Sequence, residues 1–177
     1  MAKLQGSVFI PLLLVLSLSG FILVKTVAKS QDSIALADYE LAQSHSLSDH
    51  VDPPEKWVIY SNSAYKYEIR YPGQWEFTKK DQRSINRLSS FEANLGSKVK
   101  LTSSVDTFFE IPKVATSTNI GQYNFHIWQD SAQKMSAATQ NDQFYYVIDV
   151  YQNGFFKNRT EFLNFFIQIL KNFKFTT

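Results

Sequence analysis

The residues of this sequence that could do chemistry fall into two groups. The first is a cluster of metal-ligand types, His45, Asp49, His50 and Asp52, within a polar stretch. The two histidines are five residues apart, whereas histidines that share one face of a helix stand four apart. In a solvated segment such residues are ordinarily polar filler, so the sequence predicts no metal site there.

The second group is His126, Asp130 and Asp149, which lie in the aromatic C-terminal part of the chain. A hydrolase would need these side chains to converge in a cleft, with one of them acting as a general base. A lone histidine between aromatic residues is more typical of a packed or edge-exposed position. Asp149 stands between Ile148 and Val150, where a charge needs a partner, and we expect a basic residue on the neighbouring strand to pair with it.

Other chemical signatures are absent from the sequence. The chain has no cysteine, which excludes thiolate nucleophiles, disulfides and cysteine-bound metals. Its six glycines form no phosphate-binding loop, and no Gly-x-Ser-x-Gly motif occurs. The net charge of +2, with scattered basic residues, provides no field that would collect nucleic acid.

These observations predict a protein that is not an enzyme, with no catalytic, cofactor-binding or metal-binding residues and no cofactor. We expect a binding or accessory role instead, with an envelope protein as the partner. The alternative is an envelope hydrolase whose site lies near His126, Asp130 and Asp149.

Residues 8–24 form an uninterrupted apolar run flanked by Lys3 and Lys25. The run is near the lower limit of what spans a bilayer, and the flanking lysines can extend toward the interfaces. It exceeds the roughly 7–15 apolar residues of a secretory signal. We predict a signal anchor or transmembrane helix over residues 1–28 that holds a single-pass protein with its domain outside the cytoplasm. Because the flanking charges are nearly balanced, a cytosolic orientation is an alternative, and secretion after cleavage near Ala28 is another.

Residues 29–55 are polar and are predicted to be a linker or stalk. Residues 33–44 could form a short helix that continues the membrane segment, or could be disordered. The pair Pro53-Pro54 forbids a continued helix, which places the start of the folded domain at about residue 56.

Over residues 56–177, the chemistry-bearing residues must be positioned by strands. Residues 65–71 alternate apolar or aromatic side chains with charged ones, the period of a half-buried strand. Residues 144–152 are almost entirely β-branched or aromatic and predict the central strand. Further strands are expected at 56–62, 87–94, 98–105, 106–112 and 122–130. Polar loops are expected at 113–122 and 134–144, and these are the surfaces predicted to carry recognition.

The last segment changes to a helical period, with apolar residues every three or four positions from Phe162 to Phe173. Asn158 is the expected N-cap, and Glu161 completes a capping box. Asn158-Arg159-Thr160 also fits a glycosylation sequon, but the cap is the favoured interpretation. The sequence therefore predicts an α+β fold, a mostly antiparallel β-sheet closed by a C-terminal amphipathic helix and preceded by a transmembrane helix.

Three stretches of the chain resemble the PsbP-like domain superfamily. They are "YSNSAYKYEIRYPGQWEF" at 60–77, "YYVIDVY" at 145–151 and "FFIQILKNFKF" at 165–175, and the resemblance spans residues 57–175. The family pattern has glycine where Lys66 or Tyr67 stands here, which leaves room for a different edge geometry.

The resemblance implies the same α+β fold and, by analogy, a docking or scaffold role of the kind known for PsbP-like domains. The combination recurs in small membrane-anchored or lipid-anchored bacterial proteins. Nothing in the sequence matches a photosystem-docking surface, so the resemblance does not imply a photosynthetic role. We expect Trp75 to fold over the sheet edge into the core, and Phe173 and Phe175 to fix the closing helix to the sheet.

Overall fold

The computed structural model of the protein describes residues 51–79 and 86–177. The transmembrane helix predicted over residues 1–28, and the linker as far as residue 50 with His45 and His50, lie outside the described residues. Within the two described ranges, no helix combines the length and apolar character that crossing a membrane requires.

The described residues form two antiparallel sheets and one α-helix. A 3-10 turn, Pro54–Lys56, leads into the strands, which are β1 (Trp57–Asn62), β2 (Tyr67–Pro72), β3 (Glu76–Lys79), β4 (Arg87–Leu95), β5 (Val99–Asp106), β6 (Thr116–Ile120), β7 (Tyr123–Ser131), β8 (Lys134–Asn141), β9 (Phe144–Gln152) and β10 (Phe173–Phe175), with the helix α1 (Arg159–Lys171) between β9 and β10. The small sheet has the order β1-β2-β10 and the large sheet the order β3-β4-β5-β9-β8-β7-β6. The mostly antiparallel α+β arrangement is confirmed, although the strands form two sheets rather than one.

The strands with the strongest sequence patterns lie where the sequence predicts them. β9 is the fourth of seven strands, as expected for the central strand. In β2, Tyr67, Ile69 and Tyr71 are buried, while Glu68 and Arg70 between them are partly exposed. Such alternation arises because successive side chains of a strand point to opposite faces of the sheet.

Three predictions about loops and strands are wrong. Residues 134–144, predicted to be a polar loop, contain β8, and residues 113–122 contain β6. Residues 107–112, most of the short strand expected at 106–112, form no strand. The β8 stretch is rich in small residues and lacks a strong strand propensity of its own, so its pairing with β7 and β9 decides its conformation. In the 107–115 segment, Phe109 packs on Trp128 with 5.7 Å between the ring centroids, and so fixes the segment without strand pairing.

Helix α1 begins and ends close to the predicted residues. Asn158 is the N-cap, and its side-chain oxygen accepts a hydrogen bond from the Glu161 amide at 2.9 Å. The Glu161 carboxylate accepts in return from the Lys157 amide at 2.6 Å. The first bond satisfies an amide at the helix start that has no partner within the helix, and the second holds the residue before the cap, so the pair is a variant of a capping box. The expected role of Asn158 is thus confirmed.

The core between the helix and the two sheets combines aromatic rings with aliphatic side chains. Trp75 is buried and packs on Phe165 of α1, as predicted. After the helix, β10 pairs with β2, and this brings Phe173 and Phe175 to within 5–6 Å, centroid to centroid, of the Tyr146 ring. The chain after the helix therefore ties α1 to both sheets, which confirms the expected role of the two phenylalanines.

Candidate functional site

The large sheet has two chemically different faces. On one face, Leu101, Ile148 and Ala137 are fully buried in the main core. On the other face, the strand register aligns one residue from each of five strands in a row, namely Glu92, Thr102, Asp149, Ser136 and Trp128. We call this second surface the polar face, because charged and hydroxyl side chains lie along its row and beside it.

A lysine at the start of β8 holds two carboxylates together on the polar face. The Lys134 ammonium nitrogen lies 2.7 Å from Asp130 Oδ2 and 3.3 Å from Asp149 Oδ1. Asp149 thus pairs with a basic residue of the adjacent strand, as the sequence analysis expected. We call Asp130, Lys134, Ser136 and Asp149 the Lys134 cluster.

Neutral donors complete the Lys134 cluster. The Ser136 hydroxyl donates to Asp149 Oδ1 at 2.6 Å and stands 3.0 Å from Asp130 Oδ2. The indole N–H of Trp128 donates to Asp130 Oδ1 at 2.9 Å. A bulge near the end of β7, between Gln129 and Ser131, brings Asp130 into this position, since an extra residue changes the direction of the side chains that follow.

The opposite charges in the cluster shift the pKa values of Lys134 and Asp130 in opposite directions. Burial alone would lower the pKa of Lys134, but its hydrogen bond to Asp130 and the charge of Asp149 outweigh burial and raise that pKa well above its usual value. For Asp130, burial alone would raise the pKa, yet the bonds from Lys134, Ser136 and Trp128 together lower it. Both shifts stabilise the ionised forms, so neither group is poised to exchange a proton near neutral pH.

His126 does not join the two carboxylates. In the register it lies opposite Ala138 on β8 and Ser117 on β6, two residue pairs along from Ser136. Its imidazole makes no hydrogen bond or ion pair with any residue that the structure describes. Of the three residues of the hydrolase alternative, the structure therefore brings Asp130 and Asp149 together and leaves His126 apart.

A second row of side chains continues the polar face. The ammonium groups of Lys100 and Lys134 lie 5.1 Å and 5.3 Å from the centroid of the Tyr151 ring, within cation–π range. Lys100 also lies 3.9 Å from Glu92. Across β4, β5, β9 and β8 the polar face therefore presents alternating acidic and basic groups around one aromatic ring.

A shallow groove runs along the polar face between β4, β5 and β9. Its volume is about 230 Å³, and Glu92, Thr102 and Asp149 are among its lining residues. At one end of the groove, Asp106 accepts a bond from Ser104 at 2.8 Å and pairs with Arg87 at 3.4 Å. Basic and acidic groups are thus balanced along the groove.

Segment 107–115 covers the β7 side of the polar face. Phe109 and Ala115 pack there against Trp128, Ala138 and Val147, which form a small second core. Phe108, in contrast, points away and is 66% exposed. Because this apolar cover ends beside the Lys134 cluster, it shields Trp128 from solvent while the cluster remains partly accessible.

Sequence reasoning missed two members of the cluster, Lys134 and Ser136, because it assigned both to a loop. The one usable signal was the charge of Asp149 inside an apolar strand, which required a basic partner without saying where that partner stands. Among the described residues, no three histidine or carboxylate side chains come close enough to hold a metal ion.

No protein-family model and no curated protein matches this chain. The solution structure of cyanobacterial PsbP (CyanoP) from Synechocystis is similar at a TM-score of 0.47 and 13% identity, over 75% of this chain and 98% of that chain. A crystal structure from Bacteroides thetaiotaomicron is similar at a TM-score of 0.45 and 10% identity, over 69% of this chain and 49% of that chain. The first of these structures is of a PsbP protein.

Proposed function

We propose that this chain is a non-catalytic, membrane-anchored domain outside the cytoplasm that binds an envelope protein through its polar face. The observation that carries the proposal is the Lys134 cluster, in which one ammonium and one hydroxyl hold two carboxylates in fixed positions on a partly exposed sheet surface. Charged groups that are already oriented favour complementary docking, because little side-chain freedom remains to be lost on binding.

The ionisation of the cluster favours binding over catalysis. A general base near neutral pH needs a pKa close to 7, whereas the environment lowers the pKa of Asp130 and raises that of Lys134. The separation of His126 from both carboxylates also disfavours the hydrolase alternative, which needs a base and an acid within hydrogen-bond reach. A docking role agrees by analogy with the PsbP-like resemblance of the sequence.

The absence of cysteine from the chain allows a direct test by single-cysteine crosslinking. A cysteine at Thr102 would carry a photo-crosslinker from the centre of the polar face, and one at Ser61 from the exposed side of β1 in the small sheet. With the full-length protein in its native membrane, we expect T102C to form one defined adduct of higher mass and S61C to form none.

A matched variant connects the crosslink to the cluster. T102C combined with Lys134→Met should lose most of the adduct, because the variant removes the cation that orients both carboxylates. Adducts of equal yield from T102C and S61C, or an adduct that persists with K134M, would contradict docking through the polar face. Hydrolysis of envelope material that disappears in Asp149→Asn would instead support the enzyme alternative.

A further inference from the structure

We propose that a cavity at one end of the large sheet binds the acidic group of an anionic saccharide. The cavity has a volume of about 450 Å³, within the range of roughly 300–1,000 Å³ that is usual for small-molecule sites. It is bounded by the β4–β5 turn, the β7–β8 turn and the end of β9. We call it the end cavity. It goes beyond the proposed function, since a protein docked on the polar face would not require it.

The walls of the end cavity are fixed to one another by hydrogen bonds. The Asn153 amide donates to the Lys98 carbonyl at 2.7 Å, which joins the end of β9 to the β4–β5 turn. The Gln152 amide donates to the Gln133 carbonyl at 2.8 Å, and the Gln152 side chain donates to the Ala132 carbonyl at 3.3 Å. The three segments thus hold their shape without a ligand, which lowers the entropic cost of binding one.

The end cavity carries positive charge and no acidic side chain. Lys98 and Lys100 line it, and none of its lining residues is a carboxylate. Lys98 forms no ion pair with any described residue, and Lys100 has Glu92 only at 3.9 Å. The neighbouring groove on the polar face differs, because Glu92 and Asp149 balance its basic residues. One ammonium group without an ion pair, next to a second whose only acidic partner is 3.9 Å away, favours an anionic oxygen ligand.

The remaining polar groups of the end cavity favour a ligand with many hydroxyls. The side chains of Ser97, Gln133 and Asn153 line it and have no hydrogen-bond partner among the described residues. Each of these side chains can both donate and accept, which matches the hydroxyl groups of a sugar. The Tyr151 ring, 39% exposed, adds an apolar surface, and the Lys100 ammonium lies 5.1 Å from its centroid. The ligand class that fits all of these groups is a sugar bearing a carboxylate or a phosphate.

Titration of the full-length chain in detergent micelles tests this inference. The probes are a trimer of galacturonic acid, glucose 1-phosphate, the neutral galactose trimer and inorganic phosphate, with heat of binding as the readout. We expect at least one acidic sugar to bind, with an affinity that falls as salt is added. Lys98→Glu should weaken that binding about tenfold or more, as loss of a charge-assisted hydrogen bond predicts. Lys98→Gln should weaken it in the same direction by a smaller factor.

The control is Lys113→Glu, which makes the same charge change at an exposed residue of segment 107–115 and should leave the affinity unchanged.

Binding of the galacturonate trimer alone would identify a carboxylate ligand, and binding of glucose 1-phosphate alone would identify a sugar phosphate. Either result supports the inference. Four results would overturn it: no binding of either acidic sugar, equal binding of the neutral trimer, equal binding of inorganic phosphate, or an equal loss of affinity in K113E. None of these results depends on the crosslinking outcome for the polar face.

Discussion

Two buried tryptophans differ in how much they stabilise the fold, because only one of their indole N–H groups has a hydrogen-bond partner in the part of the chain that the structure describes. Trp57 and Trp75 both pack on Phe165, with 5.9 Å and 5.6 Å between the ring centroids. The Trp57 indole N–H donates to the Asp52 carbonyl at 2.6 Å, whereas the Trp75 indole N–H is buried and has no hydrogen-bond partner among the described residues. A buried donor without a partner offsets part of the stability that the ring provides.

We therefore predict that Trp75→Phe lowers the free energy of unfolding less than Trp57→Phe does, by about 1 kcal/mol. Both changes remove a similar part of an indole ring from contact with Phe165, so the comparison isolates the hydrogen bond. Urea unfolding of the full-length chain in mild detergent, followed by circular dichroism, measures the difference. An equal or larger loss in W75F would show that the Trp75 nitrogen is satisfied after all.

A second prediction at this scale concerns pH and Asp130. Its pKa is lowered in the folded state, so its ionised form adds stability above the unfolded pKa of about 3.9, and that stability is lost as the pH falls through the folded value. Asp130→Asn should melt a few degrees below the wild type at pH 7, and the gap should narrow as the pH falls below the unfolded pKa of about 3.9. Glu110→Gln, which changes an exposed carboxylate, should show no gap that narrows in this way. A D130N gap of constant size from pH 7 down to the most acidic pH at which the fold survives would mean that the charge of Asp130 is not the cause.

Lys66 provides the third prediction for a single residue. It lies in the turn between β1 and β2 with φ of 51°, a left-handed conformation that favours glycine. The PsbP-like pattern has glycine where Lys66 or Tyr67 stands, and the left-handed conformation of Lys66 is a physical reason for glycine at that position. Lys66→Gly should raise the stability by roughly 0.5–1 kcal/mol, since strain at this position exceeds the entropy that glycine adds to the unfolded chain. A decrease in the urea midpoint of K66G would contradict this account.

Among the elements, helix α1 has the most local determinants. Its cap, its apolar period and its terminal lysine are all encoded within about fifteen residues, and the structure places the helix at Arg159–Lys171. Strand β9 was equally predictable, because a run composed almost entirely of β-branched and aromatic residues favours burial on both faces. Strand β8 was not. Its Ser136-Ala137-Ala138 stretch is fully buried only because larger side chains from neighbouring elements surround it. The local sequence of β8 cannot show this burial, because the surrounding residues lie elsewhere in the chain.

The helix cap gives a prediction at the scale of the element. Asn158→Ala removes the acceptor of the Glu161 amide and should cost about 1 kcal/mol of stability, whereas Asn158→Asp keeps an acceptor and should cost little. Both variants remove the glycosylation sequon, so a difference between them reports the cap alone. If N158D unfolds at the same urea concentration as N158A, the side-chain oxygen is not the stabilising feature.

At the scale of the whole molecule, the candidate sites depend on register, which the sequence does not reveal. The Lys134 cluster joins residues of β7, β8 and β9, and its longest link, from Asp130 to Asp149, crosses nineteen positions of the chain. The end cavity similarly combines two turns with the end of β9. Hydrophobic periodicity indicates which face of a strand is buried, but a shift of one residue in pairing would move all of these groups. The sequence thus predicted a basic partner for Asp149 but not which residue it is, nor that Asp130 shares it.

The last prediction concerns the proposed anchor over residues 1–28, on which the location of both candidate sites depends. Because the chain has no cysteine, S61C alone reports which side of the membrane the domain occupies. We expect a membrane-impermeant maleimide to label S61C in cells whose inner membrane is intact, and we expect the full-length protein to stay in the membrane pellet after alkaline carbonate extraction. Removal of residues 1–28 should release the protein into the soluble fraction, since the apolar run 8–24 is what would hold it in lipid. Labelling of S61C only after lysis would place the domain in the cytosol, where an envelope protein has no access to the polar face. Full-length protein in the carbonate supernatant would show that the apolar run does not anchor it.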